Sequence, residues 1–95
     1  MFVPGLSAKE AVILQLLRAA ELYGLQIVKN SKGAVGRGSV YVILSRMALK
    51  GYVTSRQETQ PAGASGLPRR FYRATARGEN ALRAYERAVV AFYEA

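Results

Sequence analysis

The stretch Gly38-Ser39-Val40-Tyr41-Val42-Ile43-Leu44-Ser45-Arg46-Met47-Ala48-Leu49-Lys50-Gly51 decides the fold. Val40, Ile43, Leu44 and Met47 stand at i, i+3, i+4 and i+7, the spacing that puts apolar side chains on one buried face of a helix. Ser39 is the expected N-cap and Gly51 the expected stop. The other side of this helix then shows Ser39, Tyr41, Val42, Ser45 and Arg46 to solvent, with Lys50 at its end. These are side chains that a core does not require and a groove can use.

Upstream, Ser7-Ala8-Lys9-Glu10 has the form of a capping box, and Ile13, Leu16, Leu17 and Ala20 continue it as an amphipathic helix to about residue 21. Tyr23-Gly24 interrupts the pattern. Leu25, Ile27 and Val28 suggest a short second helix that ends in Asn30-Ser31-Lys32-Gly33, and Gly33, Gly36 and Gly38 loosen the loop that follows. Downstream, Tyr52 to Ser55 and Arg69 to Thr75 are β-prone runs joined by a Gly, Ala, Ser and Pro-rich loop over Thr59 to Pro68, which reads as a hairpin with an extended tip. From Ala76 onward, Leu82, Tyr85, Val89 and Phe92, with Ala81 and Ala88 beside them, make an apolar stripe about four turns long. The predicted architecture is mainly α with a two-stranded β-wing. It is a winged helix-turn-helix over residues 1–75, followed within the same compact unit by a C-terminal helix over 76–95 expected to dimerise.

Ninety-five residues support one modest core and no second one. With no Cys and no His, the chain has no thiolate nucleophile, no disulfide, and neither of the commonest zinc ligands. Its acids are Glu10, Glu21, Glu58, Glu79, Glu86 and Glu94, scattered mainly over helical faces and without an acid/base pair among them. We therefore expect no enzyme, no metal and no cofactor. The longest apolar runs, Val40 to Leu44 and Ala88 to Tyr93, fall far short of the roughly 18 to 20 residues that a membrane span needs. Met1 to Gly5 lacks the basic and apolar regions of a secretory signal, so a soluble, cytoplasmic protein is expected.

A net charge of +8 makes a polyanion the natural partner, and its distribution is uneven. Arg46, Lys50, Arg56, Arg69, Arg70 and Arg73 stand against Glu58 alone in residues 39–75, whereas Arg77, Arg83 and Arg87 are balanced by Glu79, Glu86 and Glu94 in the tail. The middle of the chain is basic and the last helix neutral, which points to a nucleic-acid face in the centre and a different task for the tail.

Four local sequences resemble the PadR family of transcription regulators. Tyr23-Gly24-Leu25-Gln26-Ile27 is similar to the family's opening of helix two, and Gly38-Ser39-Val40-Tyr41-Val42-Ile43-Leu44 to its recognition-helix start. Met47-Ala48-Leu49-Lys50-Gly51-Tyr52-Val53 resembles the run into the first wing strand, and Arg69-Arg70-Phe71-Tyr72-Arg73-Ala74-Thr75-Ala76-Arg77-Gly78 the second strand and the entry to the last helix. Leu25 departs from a usual aromatic, Val42 from a usual proline and Ala48 from a frequent glutamate. The resemblance implies a sequence-specific regulator of the short type, acting as a repressor and a homodimer.

On this reading the helix at 39–50 enters the major groove, which admits an α-helix, and the wing at 56–70 touches backbone or minor groove. Arg46 is the candidate for base readout, Tyr41 for phosphate and sugar, Val42 for a thymine methyl and Ser39 for phosphate at the helix start. Ser45 shares the exposed face. Lys32, Arg37, Lys50, Arg69 and Arg70 are phosphate candidates, and strand alternation allows only one of the last two to face the duplex. Leu82, Tyr85, Val89 and Phe92 are expected against a two-fold mate and against the first helix. Gly33 to Ser39 faintly imitates a phosphate-binding loop but lacks its Lys-Ser/Thr, so nucleotide binding is not expected. Two alternatives stay open. One is an architectural DNA-binding protein without sequence preference. The other is a sensor or interaction module in which Tyr23, Tyr85, Phe92 and Tyr93 line a pocket for an apolar effector.

Overall fold

The computed structural model describes residues 6–64 and 66–94, so the reading of Met1 to Gly5 as lacking a signal, Ser65 of the wing loop and Ala95 of the last helix lie outside it. Helix α1 (Ala8–Ala19) begins at the expected capping box: the Glu10 N–H donates to Ser7 Oγ at 3.2 Å, and Glu10 Oε1 accepts from the Ser7 N–H at 2.8 Å. Strand β1 (Leu22–Tyr23) leads into α2 (Gly24–Asn30), whose first turn is held by Gln26 Oε1 accepting from the Tyr23 N–H at 3.0 Å. Helix α3 (Val40–Leu49) follows, then β2 (Val53–Gln57), β3 (Arg70–Ala74) and α4 (Ala76–Glu94).

The sheet has three antiparallel strands in the order β1-β3-β2, not the two expected. Leu22 pairs with Tyr72 and Tyr23 with Phe71. A two-residue strand shows no alternation for a sequence reading to detect, so Tyr23-Gly24 reads only as a helix break. β1 joins the wing to the helical layer.

The stop of α3 is a full Schellman turn. Gly51 takes φ +80°, the Gly51 N–H donates to the Ala48 carbonyl at 3.0 Å, and the Tyr52 N–H donates to the Met47 carbonyl at 2.9 Å. A residue with a Cβ resists this left-handed conformation. The start of α3 differs from expectation. Ser39 makes no side-chain cap: at φ −118° and ψ −15° its hydroxyl swings back and donates to the Gly36 carbonyl at 3.3 Å. A capping side chain needs an extended N-cap backbone to fold over the first turn, and Ser39 does not have one.

Ile13, Leu14, Leu17, Ile27, Val40, Leu44, Met47, Val53 and Leu82 form the core, with Val35 closing it from the loop before α3. Burying an aliphatic side chain of this size contributes about 1.5–3 kcal/mol, so this cluster is what holds the four helices and the sheet base together. Leu82 is 1% exposed and belongs to this chain's own core; Tyr85 packs against the same core. Leu82 is thus taken up by the monomer rather than by a two-fold mate, while Tyr85 is only partly buried. The first half of α4 is needed to close the monomer, while Val89, Val90, Phe92 and Tyr93 beyond it remain exposed. An exposed ion pair, Arg18 Nη2 to Glu86 Oε1 at 2.9 Å, clips α4 to α1.

A knot of hydrogen bonds fixes α4 to the end of α3. Thr75 Oγ1 accepts from the Gly78 N–H at 3.0 Å and donates to the Gly51 carbonyl at 2.6 Å, and the Thr75 N–H donates to the Tyr52 carbonyl at 3.0 Å. Gly78 is buried at this crossing, where an added Cβ would meet the Tyr52 carbonyl and stand 3.1 Å from Leu14 Cδ2. Among the described residues no helix is long and apolar enough to cross a membrane.

Candidate nucleic-acid interface

Because Val40, Leu44 and Met47 are wholly buried, the reverse of α3 is turned outward. Val42 and Leu49, seven positions apart and so within about 20° of each other round the helix, form the centre of that face. They are 52% and 89% exposed. Arg46 and Ser45 flank them, both exposed. Tyr41, half exposed, leans the other way: its ring lies across Gly24, close enough that a Cβ there would sit 2.6 Å from Tyr41 Cε1. Gly24 thus lets α2 and α3 approach through a tyrosine ring.

The cations expected on this surface divide into two groups. Lys50 does not point outward as a phosphate ligand would. Its Nζ lies 2.9 Å and 3.1 Å from the two oxygens of Glu10, which is 4% exposed and also caps α1. The buried carboxylate of the capping box needs a counter-charge, and Lys50 at the end of α3 supplies it. Arg69 is likewise occupied, with Nη2 2.8 Å from Glu58 Oε2 and its guanidinium 4.8 Å from the centre of the Tyr23 ring. Arg56 pairs with Glu21 at 2.6 Å and lies 5.0 Å over Phe71. Tyr23 and Phe71 meet edge to face at 5.6 Å, so two aromatic rings and two arginine–glutamate pairs brace one face of the wing stem.

Of the cations expected at the interface, Lys32, Arg37, Arg46 and Arg70 have no carboxylate partner among the described residues, which is equally true of Lys9, Lys29, Arg73, Arg77, Arg83 and Arg87 elsewhere on the chain. Arg70 and Arg69, adjacent in sequence, take opposite faces of the hairpin. In the register Ser55↔Tyr72 and Gln57↔Arg70, Arg70 shares its face with Tyr72 and donates to Ser55 Oγ at 3.1 Å. Burial pushes the Tyr72 phenol above its ordinary range; nearby Arg70 opposes that rise and Tyr41 adds to it. Tyr72 packs against the core, so Arg70, on the same face of the hairpin, lies on its helical side. Lys32 and Arg37 lie exposed in the loop before α3, and Lys32 holds φ +52°, a left-handed conformation that costs a residue with a Cβ about 1–2 kcal/mol.

The glutamates of the wing are pulled below their ordinary range, Glu21 first by its hydrogen bonds from Arg56 and Glu58 first by those from Arg69. Sequence reasoning missed these pairs because it counts charges along the chain, whereas Glu21 and Arg56 meet only across the sheet. The aromatic residues weighed as an effector pocket fall on two elements, Tyr23 on β1 and Tyr85, Phe92 and Tyr93 on α4. Tyr23 belongs to the wing brace, Tyr85 to the core margin, and Phe92 and Tyr93 meet edge to face at 5.4 Å near the end of α4.

Three helices around one core, a wing on the third and an exposed helix face beside it define a winged helix-turn-helix protein. Residues 13–84 match the transcriptional regulator PadR-like family, and the chain belongs to that family. Its members are transcription regulators and not enzymes. The fold is similar to that of a PadR family regulator from hypervirulent Clostridium difficile, with 22% identity over 93% of each chain and a TM-score of 0.78. A PadR-like transcription factor from Bacteroides fragilis is 26% identical over 90% of this chain and 82% of its own, with a TM-score of 0.77. Bacillus subtilis PadR, solved in complex with operator DNA, is 25% identical over 83% of this chain and 47% of its own, with a TM-score of 0.74. A comparison with curated proteins finds no match.

Proposed function

We propose that this regulator is a cytoplasmic homodimer that represses transcription by binding a pseudo-palindromic operator, with α3 in the major groove and the wing against backbone or minor groove. The observation that carries this reading is the sorting of cations. Arg56, Arg69 and Lys50 are held by glutamates, while Arg46 on α3, Lys32 and Arg37 before it and Arg70 on the near face of the wing are left to a polyanion. The Bacillus subtilis relative, solved in complex with operator DNA, supports a duplex as the partner. Ser39, Tyr41, Val42 and Ser45 complete the surface. Residues 1–75 serve the DNA and 76–95 the dimer.

Dimerisation through the second half of α4 explains Val89, Val90, Phe92 and Tyr93, an apolar group whose exposure in a lone chain invites association. A groove of about 640 Å³ beside them is lined by Arg83, Arg87, Glu86 and Glu94 with Val90 and Ala91. Basic residues precede the last acid along this face, so an antiparallel copy brings opposite charges together. Two recognition helices then stand about 34 Å apart, one turn of DNA.

The test is selection from a random pool of duplexes at near-physiological salt, with Arg46→Ala in parallel. An enriched inverted repeat that Arg46→Ala binds about tenfold or more weakly supports the reading, since a bidentate arginine–guanine contact is worth about 1–3 kcal/mol. Three phosphate contacts per protomer from Lys32, Arg37 and Arg70 give a salt slope near −5. Salt-sensitive binding without enrichment makes the protein architectural instead, and absence of binding refutes the reading.

A further inference from the structure

The most outward line of α3 is aliphatic. Val42 is 52% exposed and Leu49 89% exposed, directly opposite the wholly buried Val40, Leu44 and Met47. Val42 is a sequence candidate for a methyl contact, whereas Leu49 has no assigned role until the structure places it on the same line. No core position explains either one. An apolar partner protein fits this face poorly, because covering Val42 and Leu49 would also bury Arg46, which has no carboxylate partner among the described residues. The surrounding charge is cationic, from Arg46, Lys32, Arg37 and Arg70, and the face is a convex helical ridge. The major groove of DNA matches both features, and it contains one apolar group, the C5 methyl of thymine.

We propose that Val42 and Leu49 read thymine methyl groups, so that each half-site carries two thymines on the path of α3 with the Arg46 contact between them. This rests on the DNA-binding reading above. Seven residues of helix span about 10.5 Å, or about three base-pair steps of 3.4 Å, which sets the separation of the two thymines when the helix follows the groove. Lys50 reinforces the assignment: its ammonium lies on Glu10, so the exposed end of α3 is finished by Leu49 rather than by a cation.

The experiment replaces single operator thymines by 2′-deoxyuridine, which removes the methyl and keeps every base-pairing hydrogen bond. One buried methyl group is worth about fourfold in affinity, so replacing the two read thymines in both half-sites should weaken wild-type binding about 10²-fold. Each effect should disappear in its own variant. Uracil at the Val42 position should be neutral for Val42→Ala, and at the Leu49 position for Leu49→Ala, as a double-mutant cycle requires of a direct contact. Both residues are exposed, so these variants should retain the wild-type Tm. A scan of all operator thymines that leaves wild-type affinity unchanged overturns the proposal, as does a loss that persists undiminished in both variants. If no duplex is enriched by the wild-type protein at all, it is the DNA-binding reading that fails, and this proposal fails with it.

Discussion

Replacing Gly78 by alanine should destabilise the protein, against the ordinary rule for helices. In an exposed helix interior, alanine is favoured over glycine by about 0.8–1.0 kcal/mol. At Gly78 the new Cβ runs into the Tyr52 backbone carbonyl and stands 3.1 Å from Leu14 Cδ2. A backbone carbonyl cannot rotate out of the way as a side chain can. The same oxygen accepts from the Thr75 N–H, so moving it strains the knot that seats α4. Overpacking costs about 1–3 kcal/mol, and weakening that hydrogen bond about 1 more. The balance is a net loss of about 1–3 kcal/mol, a fall in Tm of roughly 4–24 °C for a domain of this size. Thermal unfolding should be followed by circular dichroism at one fixed protein concentration, since the proposed dimerisation would make Tm concentration-dependent. Gly38→Ala is the control. Nothing lies within 4 Å of its Cβ position and its backbone is not left-handed, so that change should be neutral or slightly stabilising. A Tm for Gly78→Ala at or above wild type would refute the close crossing of α4 over Tyr52.

Lys32→Gly should raise stability by up to about 1 kcal/mol by relieving the left-handed conformation, while lowering DNA affinity and reducing the salt slope by about 2 in a dimer. A slope equal to wild type would remove Lys32 from the interface. Acid should loosen the wing stem and the α1–α4 clip. Glu21, Glu58 and Glu86 are held below their ordinary range chiefly by hydrogen bonds from Arg56, Arg69 and Arg18. Their contribution is therefore fully present above the unfolded value of about 4.3 and is lost as pH falls through the lower folded values. Limited proteolysis should cut the wing faster at about pH 3 than at about pH 6, and less steeply so in Glu58→Gln; equal rates would show that the brace contributes nothing.

The helices are legible in the sequence because each carries its own signal. The capping box at Ser7 and Glu10 and the glycine stop at Gly51 both form as local chemistry dictates. The buried face of α3 is likewise dictated by spacing alone. What escapes a linear reading is set by tertiary approach. Leu22-Tyr23 becomes a strand only because β3 lies beside it, and Ser39 loses its cap because the loop from Gly36 turns its backbone the other way. The candidate site shows the same division. Exposure of Tyr41, Val42, Ser45 and Arg46 follows from helical periodicity. Which cations remain available does not, since Lys50 and Glu10 are forty residues apart and Arg56 and Glu21 thirty-five. The share of the α4 stripe taken by the monomer is hidden for a related reason: an apolar stripe on a terminal helix does not reveal that Leu82 is wholly consumed by the chain's own core.

The division of α4 has a mechanical consequence for operator recognition. Gly51 ends α3, the proposed recognition helix, Tyr52 and Val53 begin the wing, and Thr75 and Gly78 begin the arm proposed to dimerise; all meet in one set of backbone hydrogen bonds within a few residues. Leu82 then locks the arm into the core. Close-packed cores resist continuous deformation, so the direction of the exposed end of α4 is tied to the direction of α3. In a dimer joined through that end, the separation of the two recognition helices is set by this junction rather than by a flexible linker. Half-site spacing should accordingly be narrow in tolerance. A variant that disturbs Gly78 should relax spacing preference even at temperatures where the protein remains folded, although Gly78 itself lies on neither the DNA face nor the exposed end of α4.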